Sequence, residues 1–149
     1  MPCSVVLRQG RFSEVGQIYV LTTNTYGREA HFADWRVGRL VVRELIRTEQ
    51  EGWLQSLAWV VMPDHFHWLV QLRRGTLATV VRRTKSRSAQ AVNRATGRTG
   101  ALWQQGFHDR AIRRDEDLLA VARYIVLNPV RAGLVSRVGD YPLWDAVWV

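Results

Sequence analysis

The sequence predicts an α+β fold: a ferredoxin-like antiparallel sheet in the order β-α-β-β-α-β, with an added C-terminal helix that carries Tyr124. Three observations predict it. Two apolar, aromatic-rich runs, Leu54 to Met62 and His65 to Leu72, are separated only by Pro63 and Asp64, a gap short enough for a hairpin-like connection. A helical pattern flanks each side of this pair, with a strand-like stretch beyond it. No repeat, low-complexity tract or linker rich in Pro, Gly and Ser breaks the chain, so residues 1–149 read as one domain.

Gln17 to Thr23 is β-branched and aromatic and runs into the turn-like Asn-Thr-Tyr-Gly stretch, which makes it the first strand. Val37, Leu40, Val41 and Leu45 then recur at helical spacing, with Asp34 placed to cap the start and Gly52 suited to the left-handed stop. After the two paired strands, Leu77, Val80, Val81, Thr84, Ser88, Ala91, Val92 and Ala95 form a second helical stripe. Arg82, Arg83, Arg87 and Arg94 lie largely off that stripe, giving the helix a basic side. A short strand is expected around Phe107 to Ile112. Asp115 to Asn128 reads as a helix with an acidic first turn, as the macrodipole favours, ended by Pro129 because the residue before proline leaves the α region.

A hydrophobic fraction of 47% with seven tryptophans excludes a disordered chain, since there is ample apolar surface to offset the entropy of ordering. The formal net charge of +8 comes almost wholly from arginine, with Lys85 the only lysine. Arginine's planar fork suits phosphate, so the expected partner is a polyanion. The single cysteine, Cys3, cannot close an internal disulfide. The apolar run Val5-Val6-Leu7 is too brief for the core of a signal peptide, and no stretch reaches the length of a membrane span. The expected location is the cytoplasm.

His65 and His67 sit two apart in a predicted strand, so both imidazoles share one face while Phe66 enters the other. Such a pair can grip one metal ion or serve as two hydrogen-bonded polar residues on a half-exposed face. Tyr124 and Asn128 are one helical turn apart and displaced from the stripe of Leu118, Val121, Ala122 and Ile125. A phenol and a carboxamide are thus presented side by side, as a site or as a core rim. Lys85, at the edge of the second helix's stripe, can reach a phosphate or snorkel to water. His31 and His108 have no partner legible in the sequence and are read as surface or loop histidines.

Three segments, Met62 to Val70 (MPDHFHWLV), Leu102 to Arg110 (LWQQGFHDR) and Arg123 to Val135 (RYIVLNPVRAGLV), strongly resemble the REP-associated tyrosine transposases, the single-tyrosine branch of the HUH nucleases. The likeness runs from about Gly16 to Pro142. It implies that His65 and His67 are the metal-binding pair, Tyr124 the nucleophile and Asn128 the third ligand. It implies the ferredoxin-like fold as well, a bacterial, nucleoid-associated setting, and a preference for single-stranded DNA carrying hairpins of the repetitive extragenic palindrome (REP) type.

The chemistry expected of such a site is cleavage and rejoining of a phosphodiester through a 5′-phosphotyrosine at Tyr124. A divalent ion would polarise a nonbridging oxygen. Imidazole ligands favour Mn2+ in affinity and abundance favours Mg2+, so the expected cofactor is one of these. Lys85, Arg82, Arg83, Arg87, Arg94 and Arg131 are the expected DNA-binding residues, and the protein is expected as a monomer or homodimer. The competing reading is a non-catalytic nucleic-acid-binding module of ferredoxin-like fold, with aromatic residues for stacking and a basic helix for the backbone. A metal pair opposite a tyrosine would have no use in such a module.

Overall fold

A computed structural model describes residues 13–148; Cys3 and the Val5-Val6-Leu7 run lie outside them. Five strands, β1 (Ile18–Asn24), β2 (Leu54–Met62), β3 (His65–Leu72), β4 (His108–Ala111) and β5 (Trp144–Ala146), form one sheet in the order β4-β1-β3-β2-β5. Every neighbouring pair is antiparallel. The first four strands have the split β-α-β order of the ferredoxin-like sheet. Two long helices, α1 (Trp35–Gln50) and α2 (Leu77–Thr96), make the crossovers, and α3 (Leu118–Val126) and the short α4 (Asn128–Arg131) follow β4.

The alternation of side chains along the strands divides the core into two layers. Tyr19 and Leu21 of β1 and Phe66, Trp68, Val70 and Leu72 of β3 face one way and bury against Val41, Val42 and Leu45 of α1 and Leu77, Val80 and Val92 of α2. Leu69 of β3, with Val60 and Met62 of β2, faces the other way and packs against Ala122 and Ile125 of α3. A bulge between Ser56 and Ala58 turns both Leu57 and Ala58 to this second layer. His65 and His67 share the parity of Leu69, so they open on the α3 side.

Local chemistry fixes the helix ends. The Asp34 carboxylate accepts from Arg36 N at the start of α1, and Thr76 Oγ1 from Thr79 N at the start of α2. Gly97 closes α2 in the left-handed region at φ 70°, where a side chain would be strained.

Three expectations need correction, and one strand was not expected. The last helix starts at Leu118, not Asp115. Asp117 is its cap, accepting from Leu119 N and Ala120 N, and Glu116 instead accepts from Arg110 and from Arg113 N. Pro129 does not end the helical course: it occupies the first turn of α4, where its missing N–H has no helical acceptor to lose. Ala95 is exposed, because the α2 stripe leaves the sheet near Val92. Finally, β5 had no counterpart in the sequence reading; it pairs with the free edge of β2, helped by the Tyr141 hydroxyl donating to Val61 O at 2.6 Å.

Candidate active site

β3 delivers both histidines by strict alternation, and the neighbouring elements fix their rings. His65 Nδ1 is 2.7 Å from Asp64 Oδ1, in the turn between β2 and β3. Asp64 in turn accepts from Arg28 Nε at 3.1 Å. Burial raises the Asp64 pKa, but the hydrogen bonds from His65 and Arg28 outweigh it and hold the carboxyl below its ordinary value. His67 Nδ1 lies 2.8 Å from Thr22 Oγ1, which the β1–β3 register places directly opposite. Where each Nδ1 carries the proton in these hydrogen bonds, each Nε2 is left to present a lone pair, the arrangement that orients imidazole ligands. The two rings stand edge to face with centroids 4.8 Å apart.

His67 is neutral at pH 7. Burial first, then the charges of His65 and Arg131, bring its pKa down to about 4. A neutral imidazole keeps the lone pair that a metal requires.

α3 and the start of α4 lay Tyr124 and Asn128 over the same face. Thr22, His67, His108, Tyr124 and Asn128 line one cleft of about 240 Å³ between β1, β4 and α3. Tyr124 is 65% exposed, as its displacement from the apolar stripe implies. The Arg131 guanidinium carbon sits 3.7 Å over the centre of its ring. His67, Tyr124 and Asn128 thus meet within one chain, with His65 beside His67. Among the described residues no three of His, Cys, Asp and Glu cluster closely enough to hold a metal. An ion on the two imidazoles would therefore draw its third protein ligand from a neutral group, for which the Asn128 amide oxygen is available.

His108 belongs to this cleft and sequence reasoning missed it. The signal was the β4 pattern: with Phe107 buried in the α1/α2 layer, His108 must face the other. The register then sets His67, Thr22 and His108 in one row across β3, β1 and β4.

The basic residues of α2 are not brought to the cleft, since α2 packs on the opposite layer. Lys85 Nζ donates to Gln104 O at 2.7 Å and Gly106 O at 2.9 Å, and its burial lowers its pKa. Arg83 and Arg87 both bind the Glu51 carboxylate, at 3.0 and 2.8 Å, and their hydrogen bonds hold it at a pKa of about 2. Arg82 and Arg94 are exposed.

Residues 18–128, from the first residue of β1 to Asn128, match the family model "Transposase IS200 like". The chain belongs to this family. The IS200-like match spans all four residues of the proposed chemistry: His65, His67, Tyr124 and Asn128. The REP-associated tyrosine transposase of Escherichia coli K12 is 26% identical over 134 residues, covering 89% of this chain and 78% of its own. A Haemophilus influenzae Rd protein provisionally given the same name is 33% identical over 99 residues, 59% of this chain and 56% of its own. The solved structure of a REP-associated tyrosine transposase bound to a REP hairpin superposes with a TM-score of 0.74 at 26% identity, covering 90% of this chain and 79% of the other. The protein is thus a transposase of tyrosine type, with the α+β fold its sequence predicts. No helix among the described residues is long and apolar enough to cross a membrane.

Proposed function

We propose that this transposase cuts and rejoins single-stranded DNA at REP-type hairpins through a 5′-phosphotyrosine on Tyr124, with Mg2+ or Mn2+ held by His65, His67 and Asn128. One observation carries the reading: the exposed phenol of Tyr124 lines the same cleft as a neutral imidazole and a carboxamide. The hairpin preference rests on the solved relative bound to a REP hairpin.

The donor set suits such an ion. Two imidazoles and one amide would leave about half of a six-coordinate shell to water and phosphate, whereas a closed structural zinc site wants four protein ligands. When bound, the ion supplies Lewis-acid polarisation of a nonbridging phosphate oxygen. Tyr124 Oη attacks phosphorus, and the bond to the 3′ oxygen breaks, leaving a free 3′-hydroxyl. The phosphotyrosine diester conserves the bond, so a second 3′-hydroxyl reverses the step and joins a new strand. Thr22 and Asp64 keep the histidine rings from turning away.

The test is a labelled single-stranded hairpin oligonucleotide incubated with Mg2+ or Mn2+ and resolved under denaturing conditions. A covalent band is expected with the wild type and absent from Tyr124→Phe, which keeps the ring and loses only the attacking atom. The band carries label placed 3′ of the cut. Adducts that persist in Tyr124→Phe move the nucleophile elsewhere, and adducts that persist in EDTA or in His65→Ala/His67→Ala remove the metal from the reaction.

A further inference from the structure

We propose that Arg131 is a catalytic residue of this transposase: its guanidinium edge holds the scissile phosphate while its face braces the Tyr124 ring. The inference rests on the phosphotyrosine reading above and adds the group that aligns the nucleophile with the phosphorus.

Tyr124 stands off the apolar stripe of α3 at the mouth of the cleft and is 65% exposed. A side chain so placed moves between rotamers unless something packs on it. What packs on it is Arg131, stacked 3.7 Å over the ring, a geometry in which the ring quadrupole attracts the cation. Stacking uses only the guanidinium face and leaves its N–H donors free in the plane. Among the described residues no carboxylate lies within ion-pair distance of Arg131, whereas Arg110, Arg113 and Arg137 each hold one. It is a cation without an anion, at the nucleophile.

The backbone accounts for its aim. Tyr124, Asn128 and Arg131 follow i, i+4, i+7 spacing, so the course from α3 through α4 turns all three toward one side. Arg131 N donates to Leu127 O at 3.0 Å across the join between the helices.

In the reaction the Tyr124 Oη–P bond forms and the P–O3′ bond breaks, with the electron pair leaving on the 3′ oxygen. The proton that oxygen gains balances the one the phenol loses. Charge builds on the nonbridging oxygens in between, and a planar fork meets two oxygens at once.

The experiment measures single-turnover adduct formation at saturating hairpin DNA, together with hairpin affinity, for wild type, Arg131→Lys and Arg131→Gln. Each is run with an ordinary phosphodiester and with a neutral methylphosphonate at the cut site. Removing a preorganised donor of this kind slows chemistry by about 100-fold. Arg131→Gln is expected to show that loss on the phosphodiester with affinity changed less than about threefold, and the deficit should shrink to under about fivefold on the methylphosphonate, where there is no anionic oxygen to hold. Arg131→Lys keeps the charge but not the fork, and falls between. In parallel, 19F NMR of fluorotyrosine-labelled protein, with the Tyr124 line assigned through Tyr124→Phe, should show that line shift in both Arg131 variants. An equal deficit on both substrates, or an unmoved Tyr124 line, overturns the inference while leaving the phosphotyrosine reading intact. Absence of a Tyr124 adduct in the wild type overturns both.

Discussion

A neutral imidazole at position 67 depends on burial and on the charges of His65 and Arg131, which together bring its pKa from 6.5 to about 4. Between those two values the unfolded chain binds more protons than the folded one, so this residue's contribution to stability is present above pH 6.5 and lost as pH falls toward 4. The full shift corresponds to roughly 3 kcal/mol, of which about 2 kcal/mol falls between pH 7 and about pH 4.5. Urea unfolding of the metal-free protein at pH 7, 5.5 and 4.5 should show a loss of that order in the wild type, and a loss smaller by about 2 kcal/mol in His67→Gln, which cannot take up the proton. His31, whose pKa burial also lowers, contributes equally to both proteins. Parallel curves would show that His67 is protonated in the folded state.

The helix α2 acts as the brace for the segment leading into β4. Ser88 Oγ accepts from Trp103 Nε1 at 2.9 Å, and Lys85 bonds the carbonyls of Gln104 and Gly106 three residues earlier on the helix. This fixes the approach to His108. Lys85→Met keeps the buried stem and loses the two charged hydrogen bonds, so denaturant unfolding should show a loss of about 2 kcal/mol while the salt dependence of DNA binding stays unchanged. Were Lys85 instead a phosphate contact, as its position in the sequence suggests, stability would hold and the log–log salt slope would fall by about 0.7. Such ties explain what the sequence could and could not reveal. β2, β3 and the core of α2 were legible because apolar periodicity and turn chemistry are local, and the same alternation correctly put His65 and His67 on one face. The three-residue β5 has too little pattern to read and exists because β2 has a free edge. Glu51, at the end of α1, meets Arg83 and Arg87 only through the packing of two helices, so the basic side of α2 looked freer than it is. His108 went unrecognised because its neighbours are set by strand register rather than by spacing.

The net charge of +8 is unevenly available. The cleft lies on the α3 layer and α2 on the other, so a hairpin that feeds one strand to Tyr124 must pass around the sheet edge before its stem can meet α2. Of the four arginines there, Arg83 and Arg87 are held by Glu51, which leaves the exposed Arg82 and Arg94 as the ready phosphate contacts. Each contact to a duplex stem contributes about −0.9 to the log–log slope of affinity against salt, and each to a single strand about −0.7. Arg82→Gln/Arg94→Gln is therefore expected to reduce the steepness of that slope by roughly 1.4–1.8 in fluorescence-anisotropy titrations between 50 and about 300 mM salt. The rate of adduct formation at saturating DNA should stay within about twofold of wild type, because neither side chain reaches the layer where the phosphate reacts. Glu51→Gln should act oppositely, releasing Arg83 and Arg87 and steepening the slope. A double variant with an unaltered slope would place the stem on the α3 layer, with Arg131 and the helix ends around it. One that also slows chemistry would show that binding on α2 sets the position of the strand in the cleft.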